Sequence, residues 1–345
     1  MRLARYRPPG GRDRLGVVVG QPPAGAPGPV EMADVTGLVP GARLPLHLAR
    51  LLMAGGAPEV RRAVRAAPRT AVEPAWLLAP VPRPGAFVGI GYNYRAHAEE
   101  VGARTGAGEF PLFFHKHPAC VAGPRDPVPL PEGCERLDYE GELALVVGRA
   151  CRDVPAARAL EVVAGWLACD DVSARDWQGQ SPTVTLGKSH EGFGPLGPWL
   201  VTPDELGDPG DLAVRTAVNG VLRQDGRTSA MVHDVPSQLA VLSSRCTLQP
   251  GDVLTTGSPS GSAQGMAEPA WLAPGDVVRV EVEGIGALEN EVVARRASPW
   301  LGEVPASGTA GADGPGADGA APDGAAPDGA APDGAAPDGV VGTAR

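Results

Sequence analysis

The chain has no Cys-x-x-Cys pair. Its five cysteines (Cys120, Cys134, Cys151, Cys169 and Cys246) are scattered and odd in number. That argues against a disulfide framework and for free thiols in a reducing cytoplasm. No uninterrupted apolar run reaches the ~18 residues of a membrane span, so no membrane partner is expected. Met1 to Gly16 holds several arginines but no apolar h-region, and no secretory signal peptide is expected. Nor is there a basic excess. Forty Asp and Glu stand against 30 Lys and Arg, a net charge of −10, which speaks against a nucleic-acid partner.

Much of that negative charge sits in one place. From Gly302 onward the chain is mostly Ala, Pro, Asp and Gly, with four copies of Ala-Ala-Pro-Asp-Gly between Ala320 and Gly339. Such a segment has nothing to bury and cannot offset its ordering entropy, so residues 302–345 are expected to be a disordered tail. Its seven acidic residues, set against Arg345, account for six of the ten net negative charges. The remaining body is only mildly acidic, as an ordinary enzyme is.

The most informative stretch is Leu137-Asp138-Tyr139-Glu140-Gly141-Glu142-Leu143-Ala144-Leu145-Val146-Val147-Gly148. It reads as one β-strand. Alternate side chains share a face, so Glu140 and Glu142 emerge together, followed on that face by Ala144 and Val146. Two carboxylates turned toward an apolar interior repel each other and lose hydration, and a bound divalent cation relieves both costs. An all-oxygen pair suits a hard ion such as Mg²⁺, Mn²⁺ or Ca²⁺. Two glutamates on a solvated strand edge would give the same local sequence. A second acidic cluster, Asp170-Asp171, follows the apolar run Val162 to Cys169, which reads as a buried strand with functional residues at its end. A third carboxylate would complete a facial set with positions left for water and substrate. Beyond it, Thr185 to Trp199 is a tight Gly- and Pro-rich loop with Lys188 among small residues.

The strings YEGELALVVG, DVSARDWQ, GKSHEGFGPLGPWLVT and PGDVLTTGSPSG, in this order, resemble the fumarylacetoacetate hydrolase family, in its acylpyruvase and 2-oxo-hepta-ene-dioate isomerase-like branch. Asn93-Tyr94-Arg95-Ala96-His97-Ala98-Glu99-Glu100 upstream, and Asp225 to Met231 and Val282 to Gly286 downstream, extend the resemblance over residues 85 to 295. The resemblance implies that Glu140, Glu142 and Asp171 are metal ligands, with Asp170 behind them. It implies that His97 and Glu100 activate water, that Lys188 stabilises an oxyanion, and that Lys188, Gln178 and Ser258 contact substrate. Ser258 stands where relatives commonly carry Thr, and Ser262-Ala263-Gln264-Gly265-Met266 replaces the usual Val-Gly, which alters one pocket wall. The implied activity is metal-dependent hydrolysis of a C–C bond in an acylpyruvate or β-diketo acid. Hydratase, isomerase or decarboxylase chemistry on the same site is the alternative, and a non-catalytic scaffold the remaining one. A homodimer and a small 2-oxo or β-diketo acid substrate are also implied.

Three segments are expected: a small N-terminal module (1–80), a catalytic domain (85–300) after the linker Pro80 to Pro84, and the tail. The expected elements are a strand at Leu15 to Val19 and helices at His47 to Ala54, Glu59 to Ala67, Ala157 to Trp166 and Pro236 to Ser244. A hairpin is expected at Val214 to Arg223, turning at Asn219-Gly220. Many short strands with few helices make the class α+β, in agreement with the mixed β-roll that the resemblance implies.

Overall fold

A computed structural model describes residues 1–20, 28–102 and 110–295. The tail expected from residue 302 lies outside them. The fold is α+β and strand-rich. A twelve-stranded sheet runs, through ten of its strands, in the order Arg69–Val72, Val30–Asp34, Arg14–Val18, Arg2–Tyr6, Gly194–Val201, Val163–Asp170, Gly141–Val147, Val253–Thr255, Phe87–Gly91 and Leu112–Lys116. A five-stranded sheet has the order Val221–Arg227, Ala213–Val218, Val277–Val282, Gly286–Ala294 and Val128–Leu130. Among the described residues no helix is long and apolar enough to cross a membrane.

The N-terminal segment contributes five strands to the large sheet, four on this path and Leu77–Leu78 paired with Arg2–Tyr6. Its strand Arg2–Tyr6 joins Gly194–Val201 through Arg2↔Val201 and Leu3↔Leu200. The helices Pro45–Met53 and Ala57–Ala66 lie where the apolar spacing placed them, with Leu46, Leu48, Ala49, Val60 and Ala63 buried. The hairpin also forms. Asn219 and Gly220 both adopt positive φ (51° and 78°), as a two-residue turn of the primed type requires.

The centre of the molecule is the antiparallel pair Gly141–Val147 and Val163–Asp170, buried at every position. With both faces covered, neither strand shows the alternation of a half-solvated sheet. Leu143 to Val147 and Val163 to Cys169 therefore read as continuous apolar runs. Here two sequence expectations need correction. The strand expected from Leu137 to Gly148 is broken. Leu137–Asp138 pairs with Ser173–Ala174 in a separate two-stranded piece, and the main strand begins only at Gly141. The helix expected over Ala157 to Trp166 is also absent. Ala156–Val162 is a 3-10 stretch, and from Val163 the chain is strand, with Leu145↔Trp166 and Val147↔Val163 in register. Pairing with a central strand overrides the local helical spacing, and β-branched Val163 at the strand's start favours the extended form.

Gly141 lies where the large sheet packs against the five-stranded one. A Cβ there would sit 2.1 Å from Thr216 Oγ1 and 3.1 Å from Val280 Cγ1. Its N–H donates to Gln224 Oε1 at 2.9 Å. Gly141→Ala should therefore destabilise the fold by about 1–3 kcal/mol through overpacking. The loss should appear as a lower Tm and be partly recovered by adding Thr216→Ala. An unchanged Tm in the single variant would contradict this packing.

Candidate metal centre and active site

The central strand pair ends at one edge, and that edge carries the acids. Register sets Gly141 opposite Asp170 and Glu142 opposite Cys169. The Asp171 N–H donates to the Glu140 carbonyl at 2.8 Å, and the Glu140 N–H donates to Asp170 Oδ1 at 2.9 Å. One carboxylate oxygen from each of Glu140, Glu142 and Asp171 lies within 4.8 Å of the others, and all three residues are buried.

Their environments differ. Burial pushes the Glu140 carboxyl up, but Arg175, Lys188 and His97 outweigh it and hold Glu140 well below the usual carboxylate range. Glu142 goes the other way. Burial comes first, and the charges of Asp171 and Glu140 add to it, so its carboxyl lies well above that range. Its hydrogen-bond donor is the Gly257 N–H, at 2.8 Å. The Lys188 charge and that amide oppose the rise without cancelling it, and a buried carboxylate with two negative neighbours is what a divalent cation would relieve. The all-oxygen set suits a hard ion.

Lys188, buried on the short helical turn Thr185–Lys188, places Nζ 2.5 Å from Glu140 Oε2 and 2.7 Å from Asp171 Oδ2. His97 lies on the helix Arg95–Glu100 and is buried, not on a solvated face. Its Nδ1 is 2.7 Å from Glu100 Oε1, and its Nε2 is 3.3 Å from Glu140 Oε1. Burial lowers the imidazole's basicity, but hydrogen bonds to Glu100 and Glu140 outweigh it and lift its pKa to about 9. Glu100 is itself fixed, since both its oxygens accept from the Gly261 N–H at 3.1 and 2.9 Å.

Gln178 and Ser258 line the same cavity. Gln178 Oε1 accepts from Arg175 Nη1 at 3.0 Å. The Ser258 hydroxyl donates to the Gly141 carbonyl at 3.1 Å and accepts from Gln224 Nε2 at 2.7 Å, so it braces the strand that carries the acids. The unusual segment after Gly261 has a place as well. The N–H groups of Ala263 and Gln264 donate to the two Asp138 oxygens at 2.8 and 3.1 Å. A Cβ at Gly265 would lie 2.3 Å from Glu100 Cδ.

Three contributors were not singled out from the sequence. Arg175, inside the DVSARDWQ string, donates through Nε to Asp138 Oδ2 at 2.9 Å and through Nη2 to Glu140 Oε1 at 2.6 Å. Asp138 is thereby its anchor. Lys116 ends the strand Leu112–Lys116, is fully enclosed, and donates to Asp171 Oδ1 and to the Lys188 carbonyl, both at 2.5 Å. A signal for Lys116 was present in the composition. The chain has only two lysines among its 30 basic residues, Lys116 and Lys188, and both end on Asp171. A chain that uses Arg almost everywhere keeps Lys where a compact, three-donor point charge is needed and a planar fork does not fit.

Residues 86–293 match the model of the fumarylacetoacetate (FAA) hydrolase C-terminal family. The chain belongs to the fumarylacetoacetate hydrolase family. It is 42% identical over 223 residues to the Mycobacterium tuberculosis protein Rv2993c, covering 65% of this chain and 80% of that one. The solved fumarylacetoacetate hydrolase from Exiguobacterium antarcticum superposes with a TM-score of 0.72 at 38% identity, over 86% of this chain and 100% of that one. Maleylpyruvate hydrolase from Sphingobium sp. SYK-6, solved with manganese(II) and pyruvate, has a TM-score of 0.69 at 32% identity, again over 86% and 100%. The 2-hydroxyhepta-2,4-diene-1,7-dioate isomerase from Mycobacterium marinum has a TM-score of 0.65 at 32% identity, with the same coverage. As in these relatives, the chain is an enzyme of hydrolase or isomerase type.

Asp170 offers a direct test of the buried electrostatics. Its Oδ1 accepts from Glu140, whereas its Oδ2 has no partner. Burial pushes its carboxyl up to about 7; the Glu140 N–H opposes this and the Asp171 charge adds to it. An acid whose folded pKa is raised costs stability as pH climbs from its unfolded value, about 3.9, toward its folded value, and that cost stays above it. Asp170→Asn keeps the acceptor and removes the charge. In chelator-treated protein, the Tm of Asp170→Asn relative to wild type should rise between pH 4 and pH 7 and level off by pH 8. A relative Tm that falls over this range would rule out the buried-acid account.

Proposed function

We propose that this protein is a divalent-metal-dependent hydrolase that cleaves a carbon–carbon bond in an acylpyruvate or related β-diketo acid. The observation that carries the reading is the His97–Glu100 pair, 2.7 Å apart, with His97 Nε2 3.3 Å from Glu140 of the Glu140, Glu142 and Asp171 set. The likeness to a hydrolase solved with manganese(II) and pyruvate supports it. Glu140, Glu142 and Asp171 would hold Mg²⁺ or Mn²⁺, with Ca²⁺ a further candidate. Such a cation, when bound, supplies Lewis acidity to the oxygens of a 2-oxo acid head.

The chain's own residues do the rest. Glu100 holds the Nδ1 side of His97, so Nε2 is the nitrogen presented toward the carboxylates and the cavity. In its neutral form His97 takes a proton from water, which adds to the acyl carbonyl. The C–C bond then breaks with its electron pair going to the pyruvate carbon, and proton return gives pyruvate and a carboxylate. Lys188 stabilises negative charge as it develops on oxygen.

A second reading has its own support, since solved neighbours at 32% and 35% identity are named as isomerases. Their names indicate migration of a double bond, which needs proton transfer but no added water. Product analysis separates the two: hydrolysis yields pyruvate plus a new carboxylate.

Glu142→Ala should abolish metal-dependent turnover. His97→Ala should lower C–C hydrolysis about 10²–10⁴-fold, the usual worth of a general base, while metal affinity stays near normal. Glu100→Gln removes one of the groups that lift the His97 pKa, so the rising limb of its pH–rate profile should move to lower pH, with a smaller loss of rate. Equal hydrolysis rates for wild type and His97→Ala at saturating Mg²⁺ would remove His97 from the mechanism.

A further inference from the structure

The cavity in front of the carboxylates is lined by two chemically unlike sets of residues. One is formed by Glu140, Glu142, Lys188, Arg175 and His97. The other is formed by Ile90, Tyr92, Leu112, Phe114 and Val184. Leu112 is half-exposed and marks the mouth, and Phe114 lies under the Lys188 ammonium, 5.2 Å from ring centroid to Nζ.

The apolar side is held under strain. Tyr92 and Val184 have φ of 55° and 54°, the left-handed region that bulky and β-branched residues avoid. Of the four non-glycine residues with positive φ among those described, Asn219 serves the hairpin turn, and these two line the cavity. Strain of this kind persists where the surroundings over-determine a conformation, and it gathers at ligand clamps.

Charge is distributed just as unevenly. Among the described residues lining the cavity, the cationic side chains are Arg175, Lys188 and His97. Arg175 is held by Asp138 and Glu140, Lys188 by Glu140 and Asp171, and His97 by Glu100 and Glu140. All three are therefore already paired with carboxylates. The other polar liners include the neutral amides Gln178 and Gln264.

We infer that the substrate's acyl arm is uncharged and apolar, and that it lies against Tyr92, Leu112, Phe114 and Val184. The inference rests on the metal-held 2-oxo acid head proposed above. A second carboxylate at the far end of the arm would lose its hydration against this wall and find, among the described liners, only cations already held by carboxylates, Lys188 over Phe114 included. An alkyl arm gains what the charged one loses. The chain would thus differ from the Mycobacterium marinum relative, whose named substrate is a dioate.

Two inert 2-oxo acids of equal chain length isolate the arm from the reaction. 2-Oxohexanoate ends in a methyl group and 2-oxoadipate in a carboxylate. Titrated calorimetrically into Mn²⁺-loaded protein, 2-oxohexanoate should bind about tenfold or more tightly than 2-oxoadipate. Equal or tighter binding of 2-oxoadipate overturns the inference and leaves the metal-held head intact. Failure of both acids to bind overturns the head reading itself. Leu112→Arg, at a half-exposed position that tolerates the longer side chain, should shift the ratio toward 2-oxoadipate by about tenfold, the usual scale for one added charge-assisted contact. An unchanged ratio in a variant of wild-type Tm overturns the placement of the arm against Leu112.

Discussion

Five buried carboxylates share one edge of the central strand pair: Asp138, Glu140, Glu142, Asp170 and Asp171. Left to themselves, they would repel one another and unfold the edge that carries them. Everything around them answers that repulsion. Arg175 spans Asp138 and Glu140, Lys116 and Lys188 close on Asp171 from two directions, the amides of Glu140, Gly257 and Ala263 cap further oxygens, and the Gln264 amide joins Arg175 on Asp138 Oδ2. Such networks seldom add net stability over an apolar core, because desolvation consumes most of the attraction. Their value lies in holding charges at fixed positions in a medium where charge acts strongly.

The compensation is uneven, and the unevenness has chemical content. Glu140 faces three cationic groups, whereas Glu142 faces two anions, opposed only by the Lys188 charge and an amide. The fold thus keeps one carboxylate firmly ionised and leaves its neighbour in want of positive charge. The backbone makes this possible. The strand break at Tyr139-Glu140 lets Glu140 leave the ladder and meet Arg175, while Glu142 stays in register opposite Cys169.

What was legible in the sequence follows from how far each signal reaches. Glu140, Glu142 and Asp171 stand within short strings whose order along the chain carries the family, so their grouping could be read. The helices at Pro45–Met53 and Val235–Arg245 declare themselves by local spacing and by Pro at their starts. Lys116 could not be found that way. It ends an apolar strand flanked by His115 and His117, and its partner Asp171 lies 55 residues away. Arg175 sits among polar residues, so nothing nearby says that it is enclosed. The start of the strand Val163–Asp170 has helical spacing in its local sequence, and its partner, Gly141–Val147, distant along the chain, decides its conformation.

The scarcity of lysine has a practical side. With Lys116 and Lys188 both enclosed beside Asp171, the outer surface offers no lysine amine. Reagents that acylate or alkylate side-chain amines would find their targets only where the carboxylate pocket admits them. Covalent labelling of lysine, which on most proteins reports a blur of surface sites, would on this chain be a clock for the opening of a single place.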